Sequence, residues 1–189
     1  MKKESNKMSK KIERLSKEIR LKSRIIGQEQ PVLEFFYEYP NSKHSIREIA
    51  QKLGFTRSTT HNYLKLLKEK GIISSDNKWV DNWQNRLIKT NYYLEKLAKS
   101  GLIDYLEKEL AASAIVLFGS FRKGESEISS DIDIFVECAR EKDLDFKKYE
   151  KYLGHKIQLF TKSKITLLPD RLFNNVINGI KIKGYFTIK

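Results

Sequence analysis

Apolar positions along this chain change their spacing at a few points, and each change marks an element. Ile12, Leu15, Ile19 and the pair Ile25-Ile26 recur at helical spacing among lysines, which predicts a basic amphipathic helix beginning near Ser9. Val32 to Tyr37 reads as a short apolar helix closed by Pro40-Asn41. Ser45-Ile46-Arg47-Glu48 has the form of a capping box, and Ile46, Ile49, Ala50 and Leu53 give the helix behind it one apolar face up to Gly54. Thr56 can cap a second helix, Arg57 to Lys70, with Thr60, Leu64 and Leu67 inward and Gly71 as its stop. Ile72-Ile73-Ser74 and Lys78-Trp79-Val80 then flank the polar turn Ser75-Asp76-Asn77 as two short strands. Gln84 to Lys99 and Leu102 to Leu110 return to helical spacing, and their apolar positions Leu87, Ile88, Tyr92, Leu94, Leu97, Leu102, Ile103, Leu106 and Leu110 are expected in the core. Beyond them Ala114 to Phe118 is a short apolar run that reads as a buried strand, Ile132, Ile134, Phe135 and Val136 form a second apolar run, and Lys156 to Phe160 is a candidate third strand. Leu172 to Asn178 reads as a short helix and Ile180 to Ile188 as a terminal strand or hairpin.

The strand signals bracket a constellation with chemical meaning. Ala114 to Phe118 stops at Gly119-Ser120, where glycine permits a sharp turn and close approach of backbone N–H groups to a ligand. Such N–H groups, with the Ser120 hydroxyl, are suitable donors to a triphosphate, and Arg122 and Lys123 follow with positive charge. Beyond Ser120, after ten intervening residues, come Asp131-Ile132-Asp133, two carboxylates that alternate with apolar residues and so leave one face of a strand. Oxygen ligands of this kind suit magnesium, which binds through one or two carboxylates plus substrate phosphates, and a pair of such ions can activate an attacking oxygen and stabilise leaving pyrophosphate.

Gly119, Ser120, Ser130, Asp131 and Asp133 together resemble the signature of the DNA polymerase β-type nucleotidyltransferase superfamily, above all its minimal nucleotidyltransferases, over roughly residues 98–189. The resemblance implies a nucleoside triphosphate substrate, two magnesium ions, catalytic Asp131 and Asp133, and nucleotide contacts from Gly119, Ser120, Arg122, Lys123 and Ser130. It also implies a third carboxylate on a following strand, and Gln158 stands there instead. Its amide oxygen can ligate a metal but brings no charge and cannot take a proton. Catalysis is then slower, completed by another acid such as Glu137 or Glu150, or lost.

Residues 29–81 resemble a winged helix-turn-helix DNA-binding domain, especially in Ile46 to Gly54 followed by Ser58 to Leu64. In that family the second helix enters the major groove, which implies DNA contacts from Thr56, Arg57, Ser58, His61, Asn62 and Lys65, with Lys78 on the wing. Residues 55–80 carry a net charge of about +3 while 29–81 carry about +1, so cations gather on that helix and wing. A helical docking module with the same core is the alternative reading.

The whole chain of 189 residues has a net charge of +13, of which residues 1–28 hold ten Lys or Arg against three Glu. More than half the excess therefore lies in an N-terminal arm, which serves as a solvated extension or as a phosphate contact. Absence of a membrane-length apolar run and of a signal-peptide core predicts a cytoplasmic protein without membrane contact. The single cysteine, Cys138, permits no internal disulfide, and His44, His61 and His155 show no ligand spacing.

These readings give an α+β chain in four parts: a basic arm over 1–28, a winged helix-turn-helix domain over 29–82, a connecting helix over 83–100, and a minimal nucleotidyltransferase domain with a mixed sheet and flanking helices over 101–189. Transfer of a nucleoside monophosphate to a hydroxyl is the expected activity, with double-stranded DNA, including its own operator, as a partner. By resemblance the acceptor can be a protein such as a toxin partner, and the connecting helix can support a homodimer. Gln158 keeps open a transcription regulator whose transferase domain binds nucleotide or a partner without turnover.

Overall fold

The computed structural model describes residues 29–187. They group into two units, one taking residues 40–79 with those up to Phe36, the other Tyr37–Tyr39 with the chain from Val80 onward. The basic helix expected within residues 1–28 lies outside the described residues.

In the first unit, α1 (Gln30–Glu38, of which the residues up to Phe36 belong here), α2 (Ile46–Leu53) and α3 (Arg57–Glu69) begin where their caps put them. Ser45 and Glu48 form the reciprocal capping box, at 3.2 and 2.8 Å, and the Thr56 hydroxyl accepts from the Thr59 amide at 3.1 Å. Val32, Phe36, Ile49, Leu64, Leu67, Ile73 and Trp79 close the core. The two-stranded wing is reduced to one antiparallel bridge, Ile73 to Trp79. The ladder starts, with the Ser74 amide donating to the Lys78 carbonyl at 2.8 Å, but the Ile72 amide donates to the Leu67 carbonyl at 2.9 Å and so does not extend it.

The second unit contains α4 (Trp83–Ser100), α5 (Leu102–Leu110), β1 (Ala114–Leu117), α6 (Gly119–Lys123), β2 (Ile132–Glu137), α7 (Lys147–Leu153), β3 (Ile157–Lys162), a 3-10 turn (Ile165–Leu167), α8 (Asp170–Ile177) and β4 (Ile180–Gly184). Strand order is β3-β2-β1-β4, with β2 and β3 parallel and the other pairs antiparallel. Val116, Phe118 and Phe135 pack with Ile165, Leu168 and Val176. Their neighbours Ile115, Leu117, Ile132, Ile134 and Val136 are buried too, so β1 and the apolar positions of β2 are covered on both faces, whereas β3 is only partly buried. The fold is α+β.

Helix α4 corrects one expectation. Leu87 and Ile88, expected in the core, are exposed, and the buried residues include Asn85, Lys89, Thr90, Tyr93 and Leu97. Lys89 donates its ammonium to the Tyr37 carbonyl at 2.6 Å and to that of Ser126, while Thr90 reaches the Phe121 carbonyl at 3.3 Å. The face turned inward is therefore the one whose polar groups meet main-chain acceptors.

Candidate active site

The site is built where β1 hands over to α6 beside β2. Phe118 donates its amide to the Asp133 carbonyl at 3.0 Å, which fixes the end of β1 against the start of β2. Gly119 then takes φ +67° to open α6, and a Cβ there would stand 1.9 Å from Asp133 Oδ2. Only a residue without a side chain lets the carboxylate lie over this turn. Gly124, at the far end of α6, is similarly confined: its Cβ would come within 2.3 Å of the Arg86 carbonyl. The Gly-Ser turn and the Asp pair, separated in sequence, thus meet.

Asp133 is half-buried on β2, and Asp131 is exposed just ahead of the strand. Burial first, and then the charge of Asp131, push the Asp133 carboxyl above its ordinary range. Gln158 is the partner of Asp133 in the parallel register of β2 and β3, as the sequence places it, and it is exposed. The two acids considered as substitutes are engaged elsewhere. Glu137 accepts from the Ser113 hydroxyl at 3.0 Å and the Ile165 amide at 2.8 Å, and Glu150 accepts from the Ile157 amide at 3.0 Å. Among the described residues no cluster of three or more His, Cys, Asp or Glu side chains could hold a metal, so the candidate ligand set is two carboxylates and one amide.

Arg122 and Lys123 are exposed in the last turn of α6 and line a groove of about 610 Å³ with Trp83, Arg86, Leu87, Thr90, Glu125 and Ile180. Arg86 is held by Asp81, at 2.6 Å through two nitrogens, and by Glu125. Arg122 and Lys123 have no carboxylate partner among the described residues. Ser130 accepts the Glu127 amide on its hydroxyl at 2.9 Å and returns its own amide to the Glu127 carbonyl at 2.8 Å, closing the loop just before Asp131.

Sequence reasoning missed a group of buried polar residues in the same unit. His155 points Nδ1 at the Ser130 carbonyl, 2.9 Å away, and Nε2 at Glu38 Oε1, 3.1 Å away. Tyr93 donates its hydroxyl to the same Glu38 oxygen at 2.6 Å. Burial raises the Glu38 carboxyl, but the hydrogen bonds from His155 and Tyr93 outweigh it, and the net shift is downward. Burial also brings the Lys89 ammonium down to about 8. These residues lie far apart in sequence, and no local pattern marks them.

In the first unit, Arg57, Ser58, His61, Asn62 and Lys65 are exposed along one side of α3, with Thr56 exposed at its cap and Lys78 exposed after the turn. Lys43 and Lys70 are paired with Asp76 and Glu29. Arg57, Lys65 and Lys78 have no ion-pair partner among the described residues, which leaves their charge available on this surface.

A mixed sheet with a Gly-Ser turn packed on an Asp-x-Asp strand defines a nucleotidyltransferase domain, and a three-helix unit with an exposed basic second helix of the turn defines a helix-turn-helix domain. Residues 99–182 match the model of the nucleotidyltransferase domain family, and residues 31–77 match that of the IclR helix-turn-helix domain. Two Methanocaldococcus jannaschii proteins, each named "Putative protein adenylyltransferase", are similar to this chain. One is 39% identical over 67 residues, covering 32% of this chain and 67% of its own length; the other is 38% identical over 65 residues, covering 32% and 76%. The chain belongs to the nucleotidyltransferase family and carries an IclR-type helix-turn-helix domain besides. No solved structure matches it significantly. Among the described residues no helix is long and apolar enough to cross a membrane.

Proposed function

We propose that the chain transfers a nucleoside monophosphate from a nucleoside triphosphate to a hydroxyl, with magnesium held by Asp131 and Asp133, and that the helix-turn-helix unit binds DNA. The observation that carries this reading is the contact of Gly119 with Asp133, which sets phosphate donors beside paired carboxylates. The residues fit the metal. Two oxygen-bearing anions repel each other there without an ion-pair partner among the described residues, a donor set that suits a hard divalent cation. When bound, that ion polarises the phosphoryl oxygens and offsets charge on the leaving pyrophosphate.

The chain's own groups do the rest. The amides opening α6 and the Ser120 hydroxyl hold the phosphates, and Arg122 and Lys123 add charge one turn further on. The acceptor oxygen bonds to the α-phosphorus while the bond from that phosphorus to the bridging oxygen breaks, and pyrophosphate leaves with the electron pair. Gln158 cannot take the hydroxyl proton, so that role falls to Asp131 or water. The names of the two archaeal relatives support adenylyl as the group and a protein as the acceptor. Gln158 beside Asp133 favours a second reading, a DNA-bound regulator that holds nucleotide without turnover.

Incubation of the full chain with α-labelled ATP, magnesium or manganese and lysate of its source cells distinguishes the two. Label on a protein, absent with Asp131→Asn, is the expected result. Tight ATP binding with no label under any metal condition supports the regulator instead.

A further inference from the structure

The loop that delivers Ser130 and Asp131 has no regular structure, yet a carboxylate pair that binds a metal must be held in place. Three hydrogen bonds hold this loop. Ile128 donates its amide to the Glu38 carbonyl at 3.0 Å, Lys89 donates to the Ser126 carbonyl, and His155 donates from Nδ1 to the Ser130 carbonyl at 2.9 Å. The last is the attachment nearest the site, since the Ser130 carbonyl belongs to the peptide that leads into Asp131.

His155 reaches the other half of the site as well. Its ring meets Phe121 of α6 edge to face, with centroids 4.8 Å apart and planes at 80°. Phe121 is fully buried and follows Ser120 directly. One side chain therefore touches the helix that opens at Gly119-Ser120 and the peptide that precedes Asp131. Its orientation is set from behind: Glu38 accepts from Nε2 at 3.1 Å and from Tyr93 at 2.6 Å, and Tyr93 packs against the ring. The Ser130 carbonyl only accepts, so Nδ1 carries the hydrogen of that contact. The His155 side chain is 1% exposed, so the ring itself is shielded from solvent.

We propose that His155, oriented by Glu38 and Tyr93, is the positioning residue that fixes Asp131 relative to the Gly-Ser helix and so sets the metal affinity of the carboxylate pair. This inference rests on the proposed metal-dependent reading of Asp131 and Asp133. Partners that orient metal ligands from behind typically contribute about 10–100-fold in metal affinity.

The test uses three substitutions in the full chain. His155→Phe keeps a ring against Phe121 and Tyr93 but removes both hydrogen bonds. In His155→Asn an amide nitrogen stands near the Nδ1 position, and in His155→Gln one stands near Nε2. Hydrogen exchange of residues 127–132 is read without metal or nucleotide, and Mn²⁺ affinity is read by calorimetry in the presence of ATP. His155→Phe is expected to lose protection confined to that segment and to weaken Mn²⁺ binding by at least about tenfold, with His155→Asn restoring both better than His155→Gln. Unchanged exchange and unchanged Mn²⁺ affinity in His155→Phe overturn the proposal, and so does a lowered melting temperature with unchanged affinity, which marks packing alone. Failure of the parent reading looks different: the unsubstituted chain then binds no Mn²⁺ through Asp131 and Asp133, and the positioning role falls with it.

Discussion

Asp133 occupies a position that favours ligand binding over stability. Its carboxylate lies over Gly119, half-buried, with the charge of Asp131 close by, and both influences raise its pKa above the ordinary 3.8. Below that ordinary value the group is protonated whether the chain is folded or not, and no penalty arises. As pH rises through the higher folded value, the folded state must hold an anion that the unfolded chain holds more easily, so stability is lost. Asp133→Asn is therefore expected to be more stable than the parent at pH 7 without metal, with the gain disappearing by about pH 3. Urea midpoints at the two pH values check this, and equal midpoints at pH 7 contradict it. Gly119, Asp131 and Asp133 were legible in the sequence because their spacing and their flanking apolar residues are local. His155, Glu38 and Tyr93 were not, because their meeting depends on how distant segments pack, and His155 alone carries no ligand spacing.

Elements with local caps were read well. The capping box of Ser45 and Glu48 and the Thr56 cap fixed the starts of α2 and α3, since each cap lies within three residues of the amide it satisfies. The inward face of α4 was read less well, because carbonyls of Tyr37, Ser126 and Phe121 decided it and drew Lys89 and Thr90 inside while Leu87 and Ile88 stayed exposed. The wing shortened for a related reason, the Ile72 amide being taken by the Leu67 carbonyl. On the proposed DNA-binding reading, the exposed residues on α3 are expected to divide into a base-reading and a phosphate-reading set. Arg57→Ala is expected to cost about 1–3 kcal/mol on a specific site and to relax its preference there. Lys65→Ala should weaken all duplexes alike and lower the slope of log affinity on log salt by about one. Fluorescence anisotropy over a salt series, on the region upstream of its own gene and on scrambled duplex, separates the two effects. Absence of binding to either duplex at low salt makes the first unit a docking module.

At the scale of the molecule, the chain joins a nucleotidyltransferase domain to a helix-turn-helix domain, and each was visible in its own stretch of sequence. Both have motifs in which residue type and spacing are dictated by backbone geometry: a glycine that must lie under a carboxylate, and caps that must meet helix amides. What depends on a third group, such as the acceptor or the operator, leaves no such mark. The proposed activity requires Asp131 and Asp133 to hold magnesium against a triphosphate seated at Gly119 and Ser120. Calorimetric titration of the full chain with ATP, with and without magnesium, tests this most directly when the Asp131→Asn, Asp133→Asn double variant is run beside it. Magnesium is expected to tighten ATP binding in the parent chain and to have no effect in the double variant, which keeps its fold. A double variant whose ATP affinity still rises with magnesium as in the parent contradicts it.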